Sequence, residues 1–232
     1  MPETVQTRVL WSVYSQQQVS PDMGNYGMTI RLKFKKEWRA YRDYVSVEPV
    51  SSPVTVEDAR LHLDLDDNYY DSQLDRLIDV ARRRVEQDTR RSLITQTHVL
   101  SMDTFPSTGI IELPTAPVQS VTSVTYVDTA DATQTLSASK YSVDSNNTPS
   151  RIVLNDGESF PTVRAHYDDV KVTYVSGYGS TVASVDPVAK FAILMLVSHL
   201  FNSPSVTAHG SVKIVPIGYE SLIDSLKWGQ YP

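Results

Sequence analysis

The sequence predicts an α+β fold. A helical core (two N-terminal helices, a long apolar helix and a short C-terminal helix) carries an inserted antiparallel β module and an N-terminal arm. Three observations predict it. Apolar residues recur at three- to four-residue intervals from Leu74 to Val85. The period switches to two between Ser92 and Tyr178, and helical periodicity returns at Asp186. These shifts divide the chain into an arm (1–52), the helical part of the core (53–91), the β module (92–185), a core helix (186–204) and a C-terminal docking tail (205–232).

The arm has loop signals at Ser15-Gln16-Gln17-Gln18 and Pro21-Asp22-Met23-Gly24-Asn25. Ile30, Leu32 and Phe34 then alternate with Arg31, Lys33 and Lys35, the pattern of a strand with one buried face. From Arg31 to Asp43 six basic residues stand against Glu37 and Asp43, a local charge of +4. Trp11, Tyr14, Tyr26, Trp38, Tyr41 and Tyr44 add more aromatic surface than a flexible tail keeps.

The first helix is predicted over Val56–Leu63, after a capping box formed by Thr55 and Asp58. The second, about Asp71–Arg90, has one apolar stripe (Leu74, Leu77, Ile78, Ala81, Val85) opposite Arg82, Arg83, Arg84 and Glu86. The module's predicted strands are Thr95–Asp103, Ile110–Leu113, Ser120–Asp128, Gln134–Leu136, Tyr141–Asp144, Arg151–Leu154 and Val170–Ser176. Each is short, rich in Val, Thr, Ile and Tyr, and bounded by turn residues. Asp186-Pro187 reads as an N-cap followed by Pro at the first helical position. The helix Val188–Phe201 is apolar on nearly every side, so it wants cover all round, and subunit contacts are expected. Pro204 ends it, and a last amphipathic helix is expected over Tyr219–Trp228.

Composition excludes several function classes. Apolar residues make up 41% and charged residues 21%, ordinary globular usage. The absence of cysteine removes disulfides, thiolate metal sites and Cys nucleophiles. A net charge of −6 disfavours sequence-independent grip on DNA, itself a polyanion. Met1-Pro2-Glu3-Thr4 lacks the features of a secretory leader. Val188–Phe201 contains Lys190 and His199 and falls short of the ~20 residues of a bilayer span, so no membrane partner is expected.

Site chemistry is sparse. Asp64, Asp66 and Asn68 fall at the first, third and fifth positions of a calcium loop, but Tyr69 stands where its obligatory glycine belongs and Asp75, at the twelfth, is too short for the usual bidentate Glu, so a polar helix connection is the favoured reading. His62, His98, His166, His199 and His209 show no metal-ligand spacing, and His199 reads as a hydrogen-bonded core histidine. No GxSxG elbow exists, though a Ser/His/Asp triad assembled in space is left open. Gly177-Tyr178-Gly179 reads as a strand-exit turn. No catalytic residue, metal or cofactor is expected. Arg82, Arg83 and Arg84 suit either a DNA-channel lining or an ion-pair face, and the acids interleaved with them favour the ion-pair face.

The ordered string of segments resembles the head–tail connector, or adaptor, proteins of long-tailed bacteriophages. It begins with Pro53–Leu63 and Ser92–Thr97. Its most specific part is Phe105-Pro106 followed by Ile111–Asp128, and it continues through Ala132–Leu136, Tyr141–Asp144, Ser150–Leu154, Val172–Gly179 and Pro187–Phe201. The likeness spans about Pro53 to Pro204, and the order of the motifs carries it, not any one of them. Two features depart from the family: Arg90-Arg91 stand where a glycine often follows the second helix, and the lead-in before Ser51 is unusually long.

The resemblance implies a structural virion protein, not an enzyme. It implies a homo-oligomeric ring, usually of about twelve subunits, beneath the portal, extending the DNA channel and meeting a head-closure or tail protein. Such a ring sits in the virion neck after assembly in the host cytoplasm, with passing DNA contacted weakly. On this reading Ile214, Ile217, Tyr219, Leu222, Ile223, Leu226 and Trp228 dock onto the portal or a neighbouring subunit. Phe191, Leu194, Met195, Val197 and Leu200 supply intersubunit packing, and the arm packs on a neighbour or on the β module. Two alternatives are a head-closure or tail-terminator ring protein and a carbohydrate- or surface-binding β module. The latter would use Tyr126, Tyr141, Tyr167, Tyr174 and Tyr178 as an aromatic platform.

Overall fold

The computed structural model describes residues 41–202 and 217–227. Four helices and antiparallel sheets give a mixed α+β architecture. In chain order these are β1 (Tyr41–Val47), α1 (Val56–Leu63), α2 (Asp71–Thr89), β2 (Gln96–Met102), β3 (Ile110–Leu113), β4 (Val118–Val127), β5 (Thr133–Thr135), β6 (Tyr141–Asp144), β7 (Ser150–Leu154), β8 (Val170–Ser176), α3 (Pro187–Asn202) and α4 (Ile217–Leu226). No described helix is long and apolar enough to cross a membrane.

The helices form where the sequence supplies caps and a stripe. The Thr55 hydroxyl accepts from Asp58 N–H, and the Asp58 carboxylate accepts from Thr55 N–H, so two orphan donors are satisfied reciprocally. Asp186 Oδ1 accepts from Val188 N–H at 2.7 Å, with Pro187 opening α3. α2 is capped by Arg90, whose φ of 56° is left-handed and whose N–H bonds Glu86 O. The left-handed cap that commonly belongs to glycine is therefore made here by arginine.

Two sheets build the module. One has the order β1-β2-β8-β4-β5 and the other β3-β7-β6. The inward residues Leu100, Ile111, Leu113, Val124, Ile152 and Val172 share one core. The helices bury a separate one through Leu74, Ile78, Val85, Ile193, Val197 and Ile223, among others. Gly177 closes the corner between the two. Its φ is +135°, and a β-carbon there would stand 2.6 Å from Thr95 N, so only glycine fits this approach.

One strand departs from the sequence reading. Residues 41–47, assigned to the arm, pair antiparallel with β2 as the edge of the larger sheet. The strand predicted around Ile30–Phe34 lies outside the described residues.

Candidate functional site

The long apolar helix is the natural place to look for an assembly surface. α1, α2 and α4 cover much of α3, and Ala189, Ala192, Ile193, Leu196 and Val197 are buried. Of the residues expected between subunits, Val197 is thus inside the chain's own core, while Leu194, Met195 and Leu200 are half-buried. A β-carbon built on Gly218 would lie 3.1 Å from Met195 Cε, so Met195 faces α4. Phe191 is 49% exposed, with the His62 ring edge-on at 6.0 Å. At the other end of α3, Tyr70 stands edge-on to Phe201 at 5.2 Å and to Tyr69 at 4.9 Å. Tyr69 is 80% exposed and Leu61 75%. Among the described residues, then, the α1–α2 connection and one side of α3 carry an aromatic surface without cover.

Sequence reasoning missed Leu61, Tyr69 and Tyr70. Their signal was two adjacent tyrosines directly before an amphipathic helix, off its apolar stripe.

The tail residues divide. Tyr219, Ile223 and Leu226 are buried against α2 and α3 within the chain, and Leu222 is half-buried. The Tyr219 hydroxyl donates to Asp88 Oδ2 at 2.9 Å, and Arg91 Nε donates to Leu226 O at 2.7 Å, which ties down the end of α4. Burial and then the Asp88 contact hold the Tyr219 phenol well above its ordinary range. Of Ile217 only the helical backbone is described, and Ile214 and Trp228 lie outside the described residues.

The three arginines are ion-paired within the chain. Arg82, 5% exposed, donates to Glu86 Oε2 and to Asp79 Oδ1 at 2.7 Å each, with Glu48 at 3.6 Å. Arg83 pairs with Asp79 and Glu48, and Arg84 with Asp88. Burial pushes the Glu86 carboxyl above the usual carboxylate range, against the pull of Arg82 and of Leu93 N–H, which donates to Glu86 Oε1.

A Ser/His/Asp arrangement does assemble, at the seam between the two cores. His98 Nε2 lies 3.0 Å from Ser92 Oγ, and His98 Nδ1 lies 3.4 Å from Asp43 Oδ2, an approach and not an aligned hydrogen bond. Its surroundings are those of a structural lock. Ser92 is wholly buried, and its hydroxyl also meets Ser176 Oγ at 2.6 Å and Gln96 Nε2 at 2.9 Å. Asp43 accepts from the Tyr174 hydroxyl and from Thr115. The His98 ring stacks on Tyr174 at 5.3 Å. A nucleophile needs a route for substrate, and this serine has none.

The remaining candidates do not converge. Asp64 is the left-handed cap of α1, Asp66 belongs to the connection and Asp75 to α2. Among the described residues no group of three or more acidic or histidine side chains could hold a metal ion. The aromatic platform is corrected by burial: Tyr141 and Tyr174 lie in the module core, Tyr126 meets Phe105, and Tyr178 packs on the helical core beside Arg91. Of that set Tyr167 alone is exposed. His199 is half-buried on α3, and His209 lies outside the described residues. An open depression of about 540 Å³ is lined by Phe105, Pro106, Leu154, Phe160 and Pro161 among others, and the one carboxylate at its edge, Glu158, is paired with Lys140.

Residues 53–154 match the model of the phage gp6-like head–tail connector protein family. No curated protein sequence matches the chain. Among solved structures, a chain of the virion of the native gene transfer agent (GTA) particle superposes with a TM-score of 0.67 at 18% identity, covering 82% of this chain and 97% of that one. A chain from the neck of the empty GTA particle, computed with C6 symmetry, gives 0.68 at 18% identity over the same shares. A chain from the neck of the native particle, computed with C12 symmetry, gives 0.61 at 19% identity, covering 80% of this chain and 97% of that one. At such identities the likeness is one of fold. Over residues 53–154 the chain is thus similar to the phage gp6-like head–tail connector family, and its fold is one that these virion chains share.

Proposed function

We propose that the protein is a structural component of a virion neck. It assembles there as a ring of about twelve copies beneath the portal, extends the DNA channel and joins head to tail. The observation that carries this reading is the connector-family match over residues 53–154, and the likeness of fold to GTA neck chains supports it. The aromatic surface beside α3, open among the described residues, supports contact between copies. The net charge of −6 supports a wall along which DNA passes with few counterion-releasing contacts. The portal contact falls to Ile217, which opens α4, and to Ile214 and Trp228 on either side of the helix, since the buried face of α4 is occupied. A head-closure or tail protein meets the opposite side, and the ring is built in the host cytoplasm.

Mass measurement of the purified chain, alone and mixed with portal, tests the proposal. A large stoichiometric complex in the mixture is the expected result. A chain that stays monomeric with portal, and is missing from finished particles, overturns it.

A further inference from the structure

The face beside α3 that the described residues leave open has a defined chemistry. Its apolar part is formed by Leu61, Tyr69, Tyr70, Phe191 and Phe201. Its rim is Asp64, Asp66 and Asp67, all exposed, and none of them in an ion pair among the described residues. A fitting partner alternates apolar and basic side chains. This chain contains such a segment: Ile30, Leu32 and Phe34 alternate with Arg31, Lys33 and Lys35, and Trp38 and Arg39 follow. Apolar side chains would cover the rings while basic ones meet the three carboxylates, and guanidinium over tyrosine adds a cation–π contact.

The topology favours the next copy as the source of the segment. Tyr41, where the described chain begins, pairs with Met102 at the end of the sheet away from the helices. At the other end of β1, Val47 pairs with Thr97, and Glu48 reaches Arg82 and Arg83 of α2. β1 covers about 20 Å. From Arg82 back to Asp71, α2 runs about 16 Å further to the acidic connection. α2 buries its stripe in the helical core and not against the strands. Lys33 to Arg39 stand two to eight residues before Tyr41, an extended reach of at most ~28 Å. Laid end to end, these two lengths put the connection beyond the reach of Lys33 to Arg39 and at the limit of reach for Ile30 to Leu32.

We infer that residues 30–39 of one copy dock on the α1–α2 connection and the adjoining side of α3 of the next copy. The two surfaces differ, so the contact is head-to-tail and propagates around a closed ring. The inference rests on the reading that copies of this chain assemble.

The chain has no cysteine, so introduced thiols report only the designed pair. The full-length variants Lys33→Cys and Asn68→Cys are mixed, assembled with portal and treated with a bismaleimide. A covalent dimer in the mixture, and a ladder of oligomers from the double variant, is the expected result. Replacing Asp64, Asp66 and Asp67 together by Asn is expected to lower the cross-link yield about tenfold without altering the melting temperature. A fast-migrating intramolecular monomer from the double variant overturns the inference, as does an assembly of full mass with no cross-link; in both cases the ring reading stands. Absence of any assembly with portal overturns both together.

Discussion

Asp169 is almost wholly buried, yet it carries a charge. Arg164 Nη2 donates to its Oδ1 at 2.7 Å and His166 N–H to its Oδ2 at 2.6 Å. Burial works against the carboxylate, but these two donors outweigh it and hold the group below the usual carboxylate range. The folded state therefore binds this proton less readily than the unfolded chain does. The stabilisation is full above the ordinary carboxylate pKa of about 4 and is lost as pH falls toward the folded value. Asp169→Asn is expected to destabilise the β module by about 2 kcal/mol near neutral pH. In urea unfolding, the gap between wild type and variant should narrow near pH 3. Partners such as these were not legible in the sequence. Asp43 reads there as one acid in a basic stretch, yet the Tyr174 hydroxyl, 131 residues away, donates to it. The ion-pair face of Arg82, Arg83 and Arg84 was legible, because three- and four-residue spacing on a helix sets the interleaved acids beside them. The burial of Arg82 was not, because Glu48 reaches it from outside α2.

Elements whose periodicity matches their burial were legible almost to the residue. α1 and the strands β3, β6 and β8 coincide with the sequence reading, and α2 ends one residue before Arg90. β1 was not found because one of its core-facing positions is a carboxylate. Tyr41 and Val45 alternate with outward residues as a strand requires, but Asp43 stands between them and breaks the apolar pattern. α4 teaches the converse. Its apolar stripe was legible, but a stripe does not say whether the surface covering it belongs to the same chain. Ile223 is 2% exposed, in one core with α2 and α3. Ile223→Ala is expected to destabilise the helical core by about 3 kcal/mol through the cavity it leaves. Chemical denaturation of the full-length protein measures this, and a variant as stable as wild type would show that α4 rests on the core without holding it.

At the scale of the molecule, two dry cores meet across a wet-chemistry seam: Glu86, Ser92, Gln96, His98 and Ser176 join helices to strands by hydrogen bonds. Cores that share few apolar contacts open as separate cooperative units. Amide hydrogen exchange of the full chain is therefore expected to resolve two protection classes, α1–α4 and β2–β8, with Ile223→Ala raising exchange in the first alone. Uniform protection that collapses in one step would refute the separation. Within the seam, polar contacts fix direction as well as distance, because a hydrogen bond weakens steeply once its angle departs from line. Methyl groups sliding over one another would let the helical half rotate against the strands at little expense. Ser92, held by a histidine, a serine and a glutamine at once, acts instead as a keyed joint. The ring proposed for this chain would require that each piece turn the next by the same amount, and this joint supplies a fixed angle from which such repetition can be built.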